Sequence, residues 1–157
     1  MDNWFECKIS YDKITDDGMP AKTKEAYLVD ALSFTEAEAR IQEECRPFVS
    51  GDLTVTDIKR ARISEIFYNP EGDRYYKAKV VFVEIDIDSG TERRAAHQML
   101  AQASTIEGAI EVIKAGMRTS SVDYVIASIA ESTLMDVFPF SNESKETRAV
   151  QLEPDDE

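Results

Sequence analysis

The sequence predicts an α+β fold built as a tandem duplication of a ββαβ unit, with mainly antiparallel sheet, two helices and a pseudo-twofold arrangement. Three observations lead there. Ser33 to Ile41, SFTEAEARI, recurs 71 residues later as Ser104 to Val112, STIEGAIEV. The aromatic stretch WFECKISY from Trp4 recurs at the same displacement as YYKAKVVF from Tyr75, and Ile66-Phe67 recurs as Val137-Phe138. A unit of three strands and one helix leaves a face or an edge uncovered, so each copy is expected to complete the other around a shared core.

Taken in order, Trp4 to Tyr11 alternates Phe5, Cys7, Ile9 and Tyr11 with Trp4, Glu6, Lys8 and Ser10, the period of a strand with one buried face. Asp17-Gly18 marks a reversal, because glycine reaches positive φ without steric cost. Thr23 to Leu32 is then the returning strand of a hairpin. Ser33 opens a helix: its hydroxyl can accept a first-turn N–H while Glu36 reaches back, and Ser104 with Glu107 repeats the pattern. Phe34, Ala37, Ile41 and Cys45 recur at helical spacing, and the helix should end before Pro47.

Leu53 to Phe67 reads as a long strand whose apolar parity slips midway, so a bulge or bend is expected within it. Repeat one is thus residues 1–68, with 69–74, NPEGDR, as a linker rich in turn residues. The second repeat, residues 75–140, follows the same course: Tyr75 to Glu84, a turn at Asp88-Ser89-Gly90, Arg94 to Ala103, a helix from Thr105 to about Ala115, and Tyr124 to Phe138. A constant displacement implies no net insertion in any loop. Residues 141–157 carry six acids against two bases and little that packs, which predicts an acidic, disordered tail.

WFECK, YLVDALSFTEAEARI, VTDIKRA, GDRYYKAKV and MDVFP together resemble an uncharacterised family common in Bacteroides-type gut bacteria and their mobile elements, known only as a domain of unknown function. The likeness covers roughly residues 1 to 140. It implies a bacterial or phage origin and a cytosolic setting, and it brings no catalytic or binding residues with it.

Composition narrows the function classes. A chain of 157 residues with 43% hydrophobic content can bury a core, and its longest uncharged apolar runs, such as Val80 to Val83, are far below the roughly 20 residues of a membrane span. The start, MDNWFECK, lacks the basic and apolar succession of a secretory signal, so a cytoplasmic location is expected. Cys7 and Cys45 are too few for a disulfide framework; their repeat equivalents by letter are Ala78 and Gly116, and they read as packing thiols. The net charge of −13 opposes broad binding to phosphate backbones.

Signatures of catalysis are missing: there is no glycine-rich phosphate loop, no metal-spaced Cys or His pair and no nucleophile elbow. His97, the one histidine, aligns with Ala26 and reads as a surface or interface residue rather than a base. Glu84, Asp86 and Asp88 could share a strand face and hold a hard cation; as a solvated strand end they would instead discourage edge pairing. No catalytic, cofactor or metal residue is therefore assigned. Bases concentrate in the strands, and a binding patch of Lys24, Lys59, Arg60 and Arg62 with Tyr11 or Trp4 beside it is expected.

These features predict a non-enzymatic protein that binds another macromolecule, a protein above all. Single-stranded nucleic acid is an alternative through a basic and aromatic sheet face, although the net charge opposes it. An acidic mimic that occupies a host DNA-binding protein, and an enzyme with an unrecognised site, are further alternatives. Membrane association is not expected.

Overall fold

The computed structural model describes residues 3–140, 145 and 148–152. It is α+β, with eight strands in two four-stranded mixed sheets and two helices. In chain order the strands are β1 (Trp4–Ile14), β2 (Pro20–Asp30), β3 (Leu53–Ala61), β4 (Glu65–Phe67), β5 (Arg74–Ile85), β6 (Glu92–Ala103), β7 (Asp123–Glu131) and β8 (Leu134–Phe138). Helix α1 (Phe34–Cys45) follows β2, and α2 (Ile106–Gly116) follows β6.

Two compact units result, Met1–Arg62 with Thr133–Ser144 and Ile63–Ser132 with Lys145–Glu157. The first sheet has the order β3-β1-β2-β8 and the second β4-β6-β5-β7. In each, two antiparallel pairs are completed by one parallel strand from the other half of the sequence: β8 lies along β2, and β4 along β6. The parity slip in Leu53 to Phe67 is the expected bulge: the register against β1 shifts between Lys8 and Ile9, so that Leu53, Val55 and Ile58 all pack against the same core. The strand ends at Ala61, and Glu65–Phe67 belongs to the other sheet. Boundaries at residues 68 and 75 follow the letters of the repeat, whereas the compact units divide the chain at Arg62 and Thr133.

Each unit packs one face of its sheet beneath its own helix. Phe5, Cys7 and Ile9 of β1 meet Tyr27 and Val29 of β2, Ala37, Ile41 and Cys45 of α1, and Phe138 of β8. The second core has the same plan, with Tyr76, Ala78 and Val80 beneath Ala109, Val112 and Ile113, and Phe67 in the place of Phe138. Positions i, i+4 and i+8 give each helix the apolar stripe that makes it bind its sheet. A fully buried side chain such as Ile41 contributes about 1.5 to 3 kcal/mol relative to leaving it in water.

The registers refine the displacement. Trp4 pairs with Asp30, but Tyr75 pairs with Gln102, so the second hairpin is one residue longer across its turn. Gly18 and Gly90 take φ of 80° and 72° in these two turns. Helix α2 is consequently shifted by one, and its N-cap is Thr105, whose hydroxyl accepts from the Gly108 N–H at 3.0 Å. Ser104 and Glu107 do not form the capping box expected of them. In α1 the Ser33 hydroxyl does accept from the Glu36 N–H, at 3.1 Å, while the Glu36 carboxylate takes the N–H of Leu32 instead of Ser33. The structural equivalent of Cys45 is then Met117, not Gly116, and that of Glu25, not Ala26, is His97. By β7 the extra residue has been absorbed: Leu53 faces Tyr11 and Tyr124 faces Phe82, and register shifts fall at Lys8/Ile9 and at Lys79/Val80.

The expected disordered tail is partly docked. Ala149 bridges Tyr68 in parallel, the Val150 N–H donates to the Tyr68 carbonyl at 2.9 Å, and Arg118 donates to the Gln151 carbonyl at 3.2 Å. Residues 141–144, 146–147 and 153–157 of that segment lie outside the described residues.

Candidate binding surface

Alternation along β1 sends Phe5, Cys7, Ile9 and Tyr11 towards α1, and so leaves Lys8 and its neighbours on the opposite face of the first sheet. Antiparallel pairing then fixes which residues join them. Lys8 pairs with Ala26, Ser10 with Lys24 and Asp12 with Lys22 on one side; Glu6 pairs with Lys59 on the other. The register shift beside Lys8 makes Thr56 the extra residue of β3, and its hydroxyl donates to the Lys8 carbonyl at 3.2 Å. From the far side β8 contributes Thr133 next to its start and Met135, which is 53% exposed.

These residues line an open cleft of about 360 Å³, formed by Lys8, Lys24, Ala26, Thr56, Thr133 and Met135 with part of Glu25. Lys8, Lys22, Lys24 and Lys59 are all exposed, and among the described residues none of them is in an ion pair. Glu6, Asp12, Asp57 and, at the Trp4 end, Asp30 share the face and match the four lysines in number, so it is charge-balanced on a protein of net charge −13. Lys8 and Lys24 at this shallow, partly apolar cleft, with Lys22 and Lys59 farther out on the same face, can attract a carboxylate- or phosphate-bearing surface.

Of the six residues expected to form a patch, only Lys24 and Lys59 are exposed together on this face. Trp4 shares its parity but is 5% exposed, so its ring is no stacking platform. Arg60 lies on the helix side, its guanidinium 5.0 Å from the Phe5 ring centroid and 5.7 Å from that of Phe34. Tyr11 is also on the helix side and donates to Glu25 Oε2 at 3.1 Å. Arg62 is exposed just past the end of β3, where the chain leaves the unit. Lys8, Thr56, Thr133 and Met135 were not in the expected patch. Lys8 was recoverable from the hairpin register, but the β8 residues were not, because no local signal says which sheet a short strand will join.

A family model described as a domain of unknown function, DUF4494, matches residues 3–140. The chain belongs to the DUF4494 family. No curated protein and no solved structure matches it. The DUF4494 match ends just past β8, so it includes the strand that unit one takes from the far end of the domain.

Elsewhere in the DUF4494 chain several ionisable groups are engaged in the fold. Glu25 accepts from Tyr27 at 2.8 Å as well as from Tyr11, and both phenols are pushed up, first by burial and then by that hydrogen bond. Burial pushes the Cys7 thiol up to about 12 and the Cys45 thiol to about 11, which keeps both protonated and poorly nucleophilic near neutral pH. His97 Nδ1 is 2.9 Å from the Ser64 hydroxyl and its ring meets Phe82 edge-on at 5.2 Å. Among the described residues no third group orients this pair, so it lacks the arrangement that activates a serine.

The three carboxylates of the second hairpin do not share a strand face. Strand β5 ends at Ile85, and Asp86 Oδ1 accepts the Asp88 N–H at 2.9 Å, closing its own turn. Among the described residues no group of three or more His, Cys, Asp or Glu is placed to hold a metal ion, and no helix is long and apolar enough to cross a membrane.

Proposed function

We propose that this DUF4494 protein is a non-enzymatic binding protein of the bacterial cytoplasm or of a mobile element, and that its partner is a protein presenting an acidic surface to the exposed part of the first sheet around Lys8 and Lys24. The observation that carries this reading is the pair of exposed, unpaired lysines Lys8 and Lys24 that line one cleft, with Lys22 and Lys59 exposed farther out on the same sheet face, in a chain of net charge −13. Like-charge repulsion elsewhere on the surface would orient such a partner onto this face. Met135 supplies apolar contact area at the same cleft, and methionine adapts to partner shape.

Single-stranded nucleic acid has less support, because the stacking half of that arrangement is absent from the face: Trp4 is buried and Tyr11 is turned to Glu25. The test is affinity capture from the native cell over a salt gradient. It compares the wild type, a Lys8→Glu/Lys24→Glu/Lys59→Glu variant and a control reversing Lys79 and Lys114. The wild type and the control should retain a salt-sensitive protein complex that the triple variant loses. Equal recovery by all three overturns the reading, and a captured nucleic acid in place of a protein replaces its partner class.

A further inference from the structure

Strand β7 ends the second sheet: it pairs with β5 alone, and among the described residues its other side has no strand. Strand β3 holds the same place in the first sheet, with its register shift at the equivalent residue. The two edges differ in what guards them. Past the register shift β3 carries Asp57, Lys59 and Arg60, charges that oppose addition of another strand. At the matching positions β7 carries Ser128, Ala130 and Glu131. From Tyr124 to Ala130 it has no charge, proline or glycine, and it is rich in β-branched and aromatic residues.

An edge of this kind presents unpaired backbone N–H and C=O groups to solvent, a template for one more strand about 4.8 Å away. Val125 is 47% exposed beside it, so an added strand would gain apolar contact as well as backbone hydrogen bonds. We propose that β7 is a strand-addition site for an extended, β-prone segment of a partner protein with basic residues at both of its ends. The basic ends follow from Asp123 and Glu131, which bracket the uncharged run and would meet them whichever way the added strand points. A second copy of this chain is a poor occupant. Antiparallel pairing of two β7 strands sets Asp123 of one against Glu131 of the other, between chains of net charge −13 each. The register shift twists the strand at Ala127 and limits sheet growth without closing the edge.

This site belongs to the second unit and the lysine face to the first, and the two are tested separately. The probe is a nine-residue peptide, the length of β7, alternating valine and threonine between lysines at its ends; its counterpart has glutamates at the ends. Amide hydrogen exchange is followed in the full-length protein. The lysine-ended peptide should slow exchange of amides between Tyr124 and Ala130 by about tenfold or more, with the glutamate-ended peptide binding about tenfold more weakly. A Ser128→Lys/Ala130→Lys variant, altered only at exposed positions, should keep its fold and lose the protection. Absence of protection in the wild type, equal protection in the variant, or equal binding of the two peptides overturns the proposal. Protection that grows with protein concentration and no peptide assigns the edge to a second copy and overturns it too.

Discussion

Gly116, the last residue of α2, lies against the ring of Phe67, where a Cβ would stand 2.3 Å from Cδ1. Phe67 is the final residue of β4, the strand that unit two takes from the first half of the sequence. In unit one the equivalent helix position is Glu44, and the exchanged strand is held differently. There Arg40, bonded to Glu44 at 2.9 Å, donates to the carbonyls of Asp30 at 2.7 Å and Pro139 at 3.1 Å. The two units thus secure their exchanged strands by unlike means, one by closeness of approach and one by a guanidinium. Gly116→Ala should destabilise the protein by about 1 to 3 kcal/mol, the range for overpacking a filled site. In a Phe67→Ala background, measured by urea denaturation, the same change should cost less than half as much.

The helix caps distinguish letter from structure. Thr105→Ala should cost about 1 kcal/mol, as removal of an N-cap does, and Ser33→Ala a similar amount. Ser104→Ala should fall within about 0.5 kcal/mol of the wild type, as exposed substitutions away from a cap do. Equal losses at Ser104 and Thr105 in thermal or urea unfolding would contradict the shift of α2 by one residue.

That shift shows how much the sequence could disclose. The repeated Ser-x-x-Glu located both helices to within a residue, because a cap is a local signal. Alignment by letters then hid the longer second turn. The core positions Ala109, Ile113 and Met117, which match Ala37, Ile41 and Cys45, contained the correction. The bulge at Thr56 was visible as a slip of parity, but the break after Ala61 was not, since choosing a sheet depends on contacts far away in the chain. For the same reason Lys24 and Lys59 were recognisable as strand bases, while their neighbours Thr133 and Met135 were not. Arg60 and Tyr11 were misplaced because each was judged by residue type. Their parity on the strand, shared with Phe5 or Ile9, puts them on the helix side.

The buried thiols set an alkaline limit. Cys7 rises from 9.0 to about 12 and Cys45 from 9.0 to about 11, in both cases chiefly through burial. Above about pH 9 the unfolded chain releases thiol protons that the folded chain keeps, so stability falls as pH rises. The slope is up to about 1.4 kcal/mol per pH unit for each thiol until its folded value is reached. Below the unfolded value the contribution is constant. Urea midpoints at about pH 8, 9.5 and 10.5 should therefore decline for the wild type and less steeply for Cys7→Ala. At about pH 8 neither thiol should react with iodoacetamide until the protein is unfolded.

The lysine face is tested most directly by residue-level footprinting of the native complex. Amine acetylation rates at Lys8, Lys24, Lys59, Lys79 and Lys114 would be compared by mass spectrometry in the free protein and in the complex captured from the cell. Lys8, Lys24 and Lys59 should be slowed together by about fivefold or more, as burial beneath a partner requires, while Lys79 and Lys114 keep their free rates. Unchanged rates at the three, or protection confined to Lys79 and Lys114, would contradict the assignment of this face.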